Sequence, residues 1–304
     1  MFESSRPLRL ALYTLLIIAG AALAATLAVR QTVRQSLVDD AARANQQLAL
    51  YATSLHTLIE RYRALPSVLA LDPQLRDALK GPVSPGQQEV LNRKLEQING
   101  AAESSTLELL DRTGLAVAAS NWRLPSSYVG HNYGFRPYFN QTRTQGTGRF
   151  YAVGVTSGIP GYFLSSAVTN DDGQFLGAMV VKLEFPELER EWRQGSDTLL
   201  VSDARGIIFI ANQPGWRYRH LKPLSDIDRA ELKTTRQYDK QPLMPLEYRS
   251  LRRFDENSDL ARVDGPDGPA DYLWESLPLA AEGWTLHLLR RPQVAFEDLS
   301  LIHI

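Results

Sequence analysis

The sequence predicts an α+β protein: one long N-terminal helix followed by two antiparallel-sheet modules in tandem. Three observations predict it. From Arg30 to Ala64 the chain has neither Gly nor Pro. After Gly100 the pattern changes to short apolar runs separated by turn residues. That order of runs and turns then occurs a second time, and self-similarity at a fixed period marks a repeated structural unit.

The helix begins in an apolar segment. Leu10 to Val29 carries no charge, and its only polar residues are Tyr13, Thr14 and Thr26. Twenty helical residues reach about 30 Å, the thickness of a bilayer core. Arg6 and Arg9 precede the segment and place residues 1–9 on the cytoplasmic side; Arg30 and Arg34 come after it. A cleaved signal peptide, with Ala22-Leu23-Ala24 as its cleavage motif, is the alternative. Either reading exports the remainder of the chain, from about residue 30 onward. Over 30–65, Leu37, Ala41, Ala44, Leu48, Tyr51, Leu55, Leu58, Tyr62 and Leu65 recur in steps of four and three. That stripe fits a dimer seam or a helix packed on its own domain. Pro66 ends or kinks the helix. Ser84-Pro85-Gly86-Gln87 has the form of a capping box and opens another helix.

Strands are expected over 106–110, 115–120, 149–155, 162–169 and 175–183, with a short helix over 186–193. Asp111-Arg112-Thr113-Gly114 and Asn170-Asp171-Asp172-Gly173 are turns, with Gly where φ turns positive. The repeat aligns Thr106–Ser120 with Thr198–Asn212, Asp111 with Asp203 and Gly114 with Gly206. Trp122 and Trp216 come at similar distances beyond, and the hairpin Tyr162–Gly173 has the length of Tyr272–Gly283. A first module over 66–190 and a second over 195–291 resemble, by fold-level analogy, tandem PAS-like (double Cache) receptor domains.

The modules differ in chemistry. In the first, Ser120-Asn121-Trp122, Asn132 to Phe139, Gly154 to Gly158 and Gly161 to Ser165 are dense in polar and aromatic residues. Lys182 stands alone in the apolar strand Ala178 to Leu183. A half-buried charge costs several kcal/mol unless it is paired or wet, and an incoming carboxylate would pair it; an outward-facing Lys182 is the alternative. Arg136 sits among aromatics, and a guanidinium grips a carboxylate with two parallel hydrogen bonds; a structural ion pair with Asp111 or Glu184 is the alternative. Thr156 and Ser157, between glycines, offer hydroxyls and backbone amides to an anion. Tyr138 and Tyr162 offer hydroxyls from an apolar wall, or serve as core aromatics. Two cations and several hydroxyls in one module suit a ligand with two negative ends. The second module lacks these features and reads as a spacer carrying signal toward the membrane.

Ser120-Asn121-Trp122, Phe135-Arg136-Pro137-Tyr138-Phe139, Thr156-Ser157, Pro160-Gly161-Tyr162, Val180-Val181-Lys182, Tyr62-Arg63-Ala64-Leu65-Pro66 and Arg236-Gln237-Tyr238 resemble the C4-dicarboxylate sensor histidine kinases of the DctB type, from about Leu37 to Pro292. The resemblance implies a membrane-anchored homodimer whose membrane-distal module binds succinate, fumarate or malate. It implies Arg136, Tyr138, Thr156, Ser157, Tyr162, Ser165 and Lys182 as ligand contacts, and a response regulator served through a kinase domain. Members continue into a second membrane helix, a phosphoacceptor helix and an ATP-binding domain. Residues 292–304 are expected to approach that second helix, and Ser300 to Ile304 look like translated adapter read-through. The fragment is therefore expected to have no kinase activity and no cofactor of its own, ATP and Mg belonging to the kinase domain. Chemoreceptors and cyclases carry such modules too, and an exported binding module without signalling output is a further alternative.

Composition and motifs argue against other classes. The 304 residues have a net charge of −1, so no global field favours nucleic acid. Cysteine is absent, which removes disulfides, thiolate catalysis and Cys-ligated metals. His56, His131, His220, His287 and His303 show no metal-ligand spacing, and there is no Walker loop, dinucleotide fingerprint or Gly-x-Ser-x-Gly elbow.

Overall fold

The structure, a computed structural model, describes residues 6–265 and 268–292. Of the expected cytoplasmic N-terminus, residues 1–5 lie outside the described residues, and so does the expected approach to a second membrane helix after 292.

Helix α1 (Arg6–Arg63) runs unbroken from the apolar segment into the polar stretch. It is long and apolar enough to cross a membrane, and its most apolar window is covered by none of the other described residues. Its stripe has an intramolecular use. Ala44, Leu48, Leu55, Ile59 and Tyr62 are buried in one core with Leu199, Leu273, Trp284, Leu286 and Leu288 of the second module. This is the own-domain packing that the stripe also allowed, so this part of the expected dimer seam is occupied within the chain. The helix breaks at Ala64, ahead of Pro66, which sits in the first turn of α2 (Leu65–Ala70), where its missing N–H costs nothing. Then come α3 (Pro73–Ala78) and α4 (Pro85–Ala102). Ser84 caps α4 reciprocally with Gln87.

The first module holds β1 (Thr106–Asp111), β2 (Ala116–Ala119), α5 (Pro137–Gln145), β3 (Thr147–Val153), β4 (Pro160–Thr169) and β5 (Phe175–Leu183). Its sheet has the order β2-β1-β5-β4-β3, every pair antiparallel. Helix α6 (Pro186–Trp192) leads to the second module: β6 (Thr198–Ser202), β7 (Ile208–Ala211), β8 (Arg219–His220), α7 (Asp226–Thr235), β9 (Met244–Pro245), β10 (Tyr248–Arg253), β11 (Ser258–Gly265), β12 (Gly268–Leu279) and β13 (Trp284–Arg290). The second sheet reads β7-β6-β13-β12-β11-β10, the first order again with one strand added at the edge.

The repeat extends to single hydrogen bonds. Asp111 Oδ1 accepts from the amides of Thr113 and Leu115, and Asp203 Oδ1 accepts from those of Arg205 and Ile207. Ser120 Oγ and Asn212 Oδ1 accept from the amides of Leu107 and Leu199 at equivalent strand starts. Gly114 and Gly206 both take positive φ, which a Cβ would disfavour. The hairpins are offset from the equal-length alignment. Phe163 faces Lys182 and Trp274 faces Leu289, while Lys182 and Leu289 face Thr106 and Thr198. Tyr162 therefore corresponds to Leu273 and not to Tyr272; the first hairpin carries a register shift between Val168 and Thr169.

Helix α1 packs along β12 and β13, whereas α2 packs on β4 and β5 beyond its C-terminal end. The first module thus lies at the far end of the helix from the apolar segment. Helix α4 covers β1 and β2 on the α2 side, and α5 lies across β3, β4 and β5.

Candidate functional site

Strand periodicity decides which residues meet. Side chains alternate faces, and the register sets Glu108, Leu110, Phe163, Val180 and Lys182 on one face of the first sheet. Leu107, Leu109, Tyr162, Leu164 and Val181 point the other way, into the core shared with α1. The first face is roofed by Tyr128, Tyr133, α5 and the loop 154–159. Between sheet and roof lies a cavity of about 10 Å³, lined by Glu108, Tyr128, Tyr133, Arg136, Tyr138 and Thr156 among others. That is room for about one water.

Arg136 stands at the N-cap of α5 and is 1% exposed. Its Nη1 donates to the carbonyls of Thr235 and Arg236, each at 3.0 Å, and its Nη2 donates to the Val153 carbonyl at 2.7 Å. Thr235 and Arg236 end α7 of the second module, so a cation sits at the negative end of that helix dipole. The guanidinium also lies 5.2 Å from the Phe135 ring centre, and that of Arg236 lies 5.5 Å from the same ring. Burial draws the Arg136 pKa down, although a guanidinium keeps its charge. The structural ion pair considered for Arg136 is thus replaced by bonds to carbonyls.

Lys182 is 1% exposed and points inward. Its Nζ donates to the Ile159 carbonyl at 3.0 Å and to Glu184 Oε1 at 2.5 Å. The path exists because residue 161 is Gly: a Cβ there would lie 2.5 Å from Lys182 Cε. The lid loop is pinned from both sides. Tyr133 and Thr156 share a hydroxyl–hydroxyl bond of 2.8 Å, Tyr128 and Ser157 one of 3.2 Å. Burial raises the Tyr133 pKa, which keeps its hydroxyl neutral and able to donate.

Tyr138, on α5, stacks on Phe163 at 5.1 Å and donates to Glu108 Oε1 at 3.4 Å. Arg136, Tyr138 and Thr156 therefore line one small volume, while Ser157, bonded to Tyr128, and Lys182, bonded to the Ile159 carbonyl, adjoin it without lining it. The structure does not bring Tyr162 there: Tyr162 faces the opposite side of the sheet and meets the Trp284 ring at 4.7 Å. Ser165 is on the pocket face but is spent on structure. Its Oγ bonds to Thr142 Oγ1 at 2.6 Å and donates among the carbonyls of Tyr138 and Gly148, fastening α5 to the sheet. Sequence reasoning missed Tyr128, Tyr133 and above all Glu108. The signal for Glu108 was the one used for Lys182: a single charge inside an apolar strand.

The second module has a different interior on the same face. Leu200 stands where Glu108 stands, and Leu289 where Lys182 stands. Both belong to an apolar core with Trp216, Val263 and Trp274. Elsewhere, His56, Glu60 and Glu282 bring ligand atoms within 4.8 Å of one another, but Arg63 already pairs with both carboxylates.

A long helix carrying two such modules, one with a roofed polar pocket, defines a tandem PAS-like sensor region. No family model matches the chain. It is 37% identical over 256 residues to the C4-dicarboxylate transport sensor protein DctB of Rhizobium meliloti, covering 84% of this chain and 41% of that protein. It is 34% identical over 201 residues to the DctB of Pseudomonas aeruginosa, covering 66% of this chain and 33% of that protein. The crystal structure of the sensor domain of the Vibrio cholerae histidine kinase DctB matches with a TM-score of 0.75 at 26% identity, over 84% of this chain and 98% of that one. Over this span the chain is similar to the sensor portion of DctB proteins. It spans about two fifths of the Rhizobium meliloti protein's length.

Proposed function

We propose that this chain is the periplasmic sensing region of a two-component sensor histidine kinase and that its first module binds C4-dicarboxylates. The observation that carries the reading is the burial of two cations on one sheet face beneath a hydroxyl-bearing loop: Arg136 lines the cavity there, and Lys182, whose Nζ is bonded to the Ile159 carbonyl of that loop, stands beside it. Each cation is held by neutral carbonyls or a partly exposed Glu184, partners that an incoming carboxylate outcompetes in a low-dielectric site. A four-carbon diacid is larger than about 10 Å³, so binding must lift the loop 154–159 and shift Arg136. Arg136 is bonded to the end of α7, so the first module's ligand acts on the second module through that bond. A ligand biases a receptor only as far as it prefers one arrangement. The kinase, the response regulator and the homodimer belong to the same proposal.

The test is calorimetric titration of the chain in lipid nanodiscs with succinate, fumarate and malate, with acetate and glutamate as controls, repeated on Lys182→Met. Methionine keeps the stem and removes the charge. The expected result is dicarboxylate binding by the natural chain and at least about a tenfold loss in the variant, the scale of one charge-assisted hydrogen bond. Equal binding by the variant, or none by the natural chain, would sink the assignment.

A further inference from the structure

Among the described residues, Glu108 is the one carboxylate lining the pocket, and the fold does not explain it. It is 1% exposed, in the middle of a sheet. Its Oε1 takes a long bond of 3.4 Å from the Tyr138 hydroxyl, and its Oε2 has no hydrogen-bond partner although it is fully buried. An unpartnered buried carboxylate oxygen is expensive. The sister module shows that the fold does not ask for it, since Leu200 fills the same strand position. A residue that costs stability, lines the pocket and is dispensable to the repeat is there for the ligand.

The charges around it define what it does. Lys182 faces it from β5, Arg136 and Tyr138 from α5, and Tyr133 and Tyr128 from the roof, while β4 contributes Phe163. Lys182 already pairs with Glu184. A ligand dianion entering beside an ionised Glu108 would put three carboxylates and Glu184 around two cations. Like charges in contact in a dry site do not all stay ionised. A protonated carboxyl, by contrast, donates a short, strong hydrogen bond to a carboxylate.

We propose that Glu108 takes up one proton from solvent when a dicarboxylate dianion binds, and as the neutral acid donates a hydrogen bond to a ligand carboxylate oxygen. It is thus a specificity-determining residue of the pocket, and this rests on the function proposed above. Burial already favours the neutral form, raising the carboxyl pKa to about 7 against the attraction of Lys182 and Arg136. The consequence is a sensor whose affinity for dianions falls as the periplasm turns alkaline.

The experiment is titration of the whole chain in nanodiscs with succinate at about pH 8, where the ligand is a dianion, in two buffers of different ionisation enthalpy. The natural chain should take up close to one proton per ligand. Its affinity should weaken toward tenfold per pH unit above about pH 7, the limit for one linked proton. Glu108→Gln, which keeps a donor at the same place, should bind with no proton uptake and a flat profile. Succinate binding by the natural chain without proton uptake would overturn the role of Glu108 and leave the dicarboxylate reading standing. Proton uptake that persists in a Glu108→Gln chain that still binds would do the same. Absence of dicarboxylate binding would remove both. Should Glu108→Gln fail to fold, the proton count and pH slope of the natural chain still decide.

Discussion

Two buried titratable residues pull the stability of this molecule in opposite directions with pH. Glu108 has its pKa raised from 4.5 to about 7, chiefly by burial. A raised value means stability that is whole below about 4.5 and is lost as pH climbs through 7. The loss is worth roughly 3 kcal/mol for that displacement. Glu108→Gln should therefore melt near the natural chain at about pH 5 and several degrees above it at about pH 8. A constant gap across that range would contradict the buried-carboxylate argument. Glu275 is raised to about 7 as well, so the comparison must be between variants and not read from the natural profile alone. His287 runs the other way. Its Nδ1 accepts from Trp274 Nε1 and faces Ser276 Oγ at 2.9 Å, which puts its own proton on Nε2, toward Ser202. Burial lowers its pKa from 6.5 to about 4, so its stabilising contribution is present above about 6.5 and lost as pH falls through 4. His287→Gln should flatten the acid side of a denaturant-midpoint profile between about pH 4 and 6.5. An unchanged acid limb would place the titrating group elsewhere.

At the scale of elements, patterns that serve local geometry were legible and those that serve long-range contact were not. The Ser84 capping box, the Asp-x-x-Gly turns and the strand boundaries depend on neighbours within a few residues, so spacing alone discloses them. The α1 stripe was visible, yet its partner was not: a seam of period near 3.5 is the same string whether a second chain or β12 and β13 cover it. Pocket membership was half legible. Lys182 and Arg136 stood out as charges among apolar residues, and Thr156 and Ser157 as hydroxyls between glycines. Tyr162 was named for its hydroxyl and Ser165 by resemblance, and strand parity separates Tyr162 from the pocket: it is one residue from Phe163 and so faces the opposite side. Ser165 keeps the pocket face, but its hydroxyl is committed to α5. Glu108 went unnoticed because its strand was read for its turn and its repeat. Arg136 has an element-scale consequence. Arg136→Ala would strip the α7 terminus of two part-buried hydrogen bonds from a cation and leave the buried Val153 carbonyl without its guanidinium. A loss of about 2–4 kcal/mol is expected in chemical denaturation, so reduced ligand binding by this variant alone would not report on ligand contact.

For the whole molecule, the decisive feature is how one chain makes two similar modules behave as one receptor. Several links join them, among them Arg136 to the end of α7, the Val153 amide to the Gln237 carbonyl, and an aromatic cluster. The cluster is Trp284, which meets Tyr162 of the first module at 4.7 Å, Tyr151 at 6.2 Å and Phe209 of its own module at 4.8 Å. Tyr151 further donates to the Phe209 carbonyl at 3.1 Å. Arg63, at the end of α1, reaches Glu282 in the turn before Trp284 at 2.7 Å, so helix and both modules converge on this point. Removing the Trp284 ring should cost about 3–5 kcal/mol, as for a large buried aromatic, and most of that cost falls on the junction. The natural chain should show one calorimetric unfolding transition, which succinate moves as a whole, because ligand bound to one module then stabilises the coupled unit. In Trp284→Ala the transition should split, with succinate raising only the part that belongs to the first module. A single transition in the variant, still moved entire by the ligand, would mean that the Arg136–α7 bond suffices and that the aromatic cluster contributes packing without coupling.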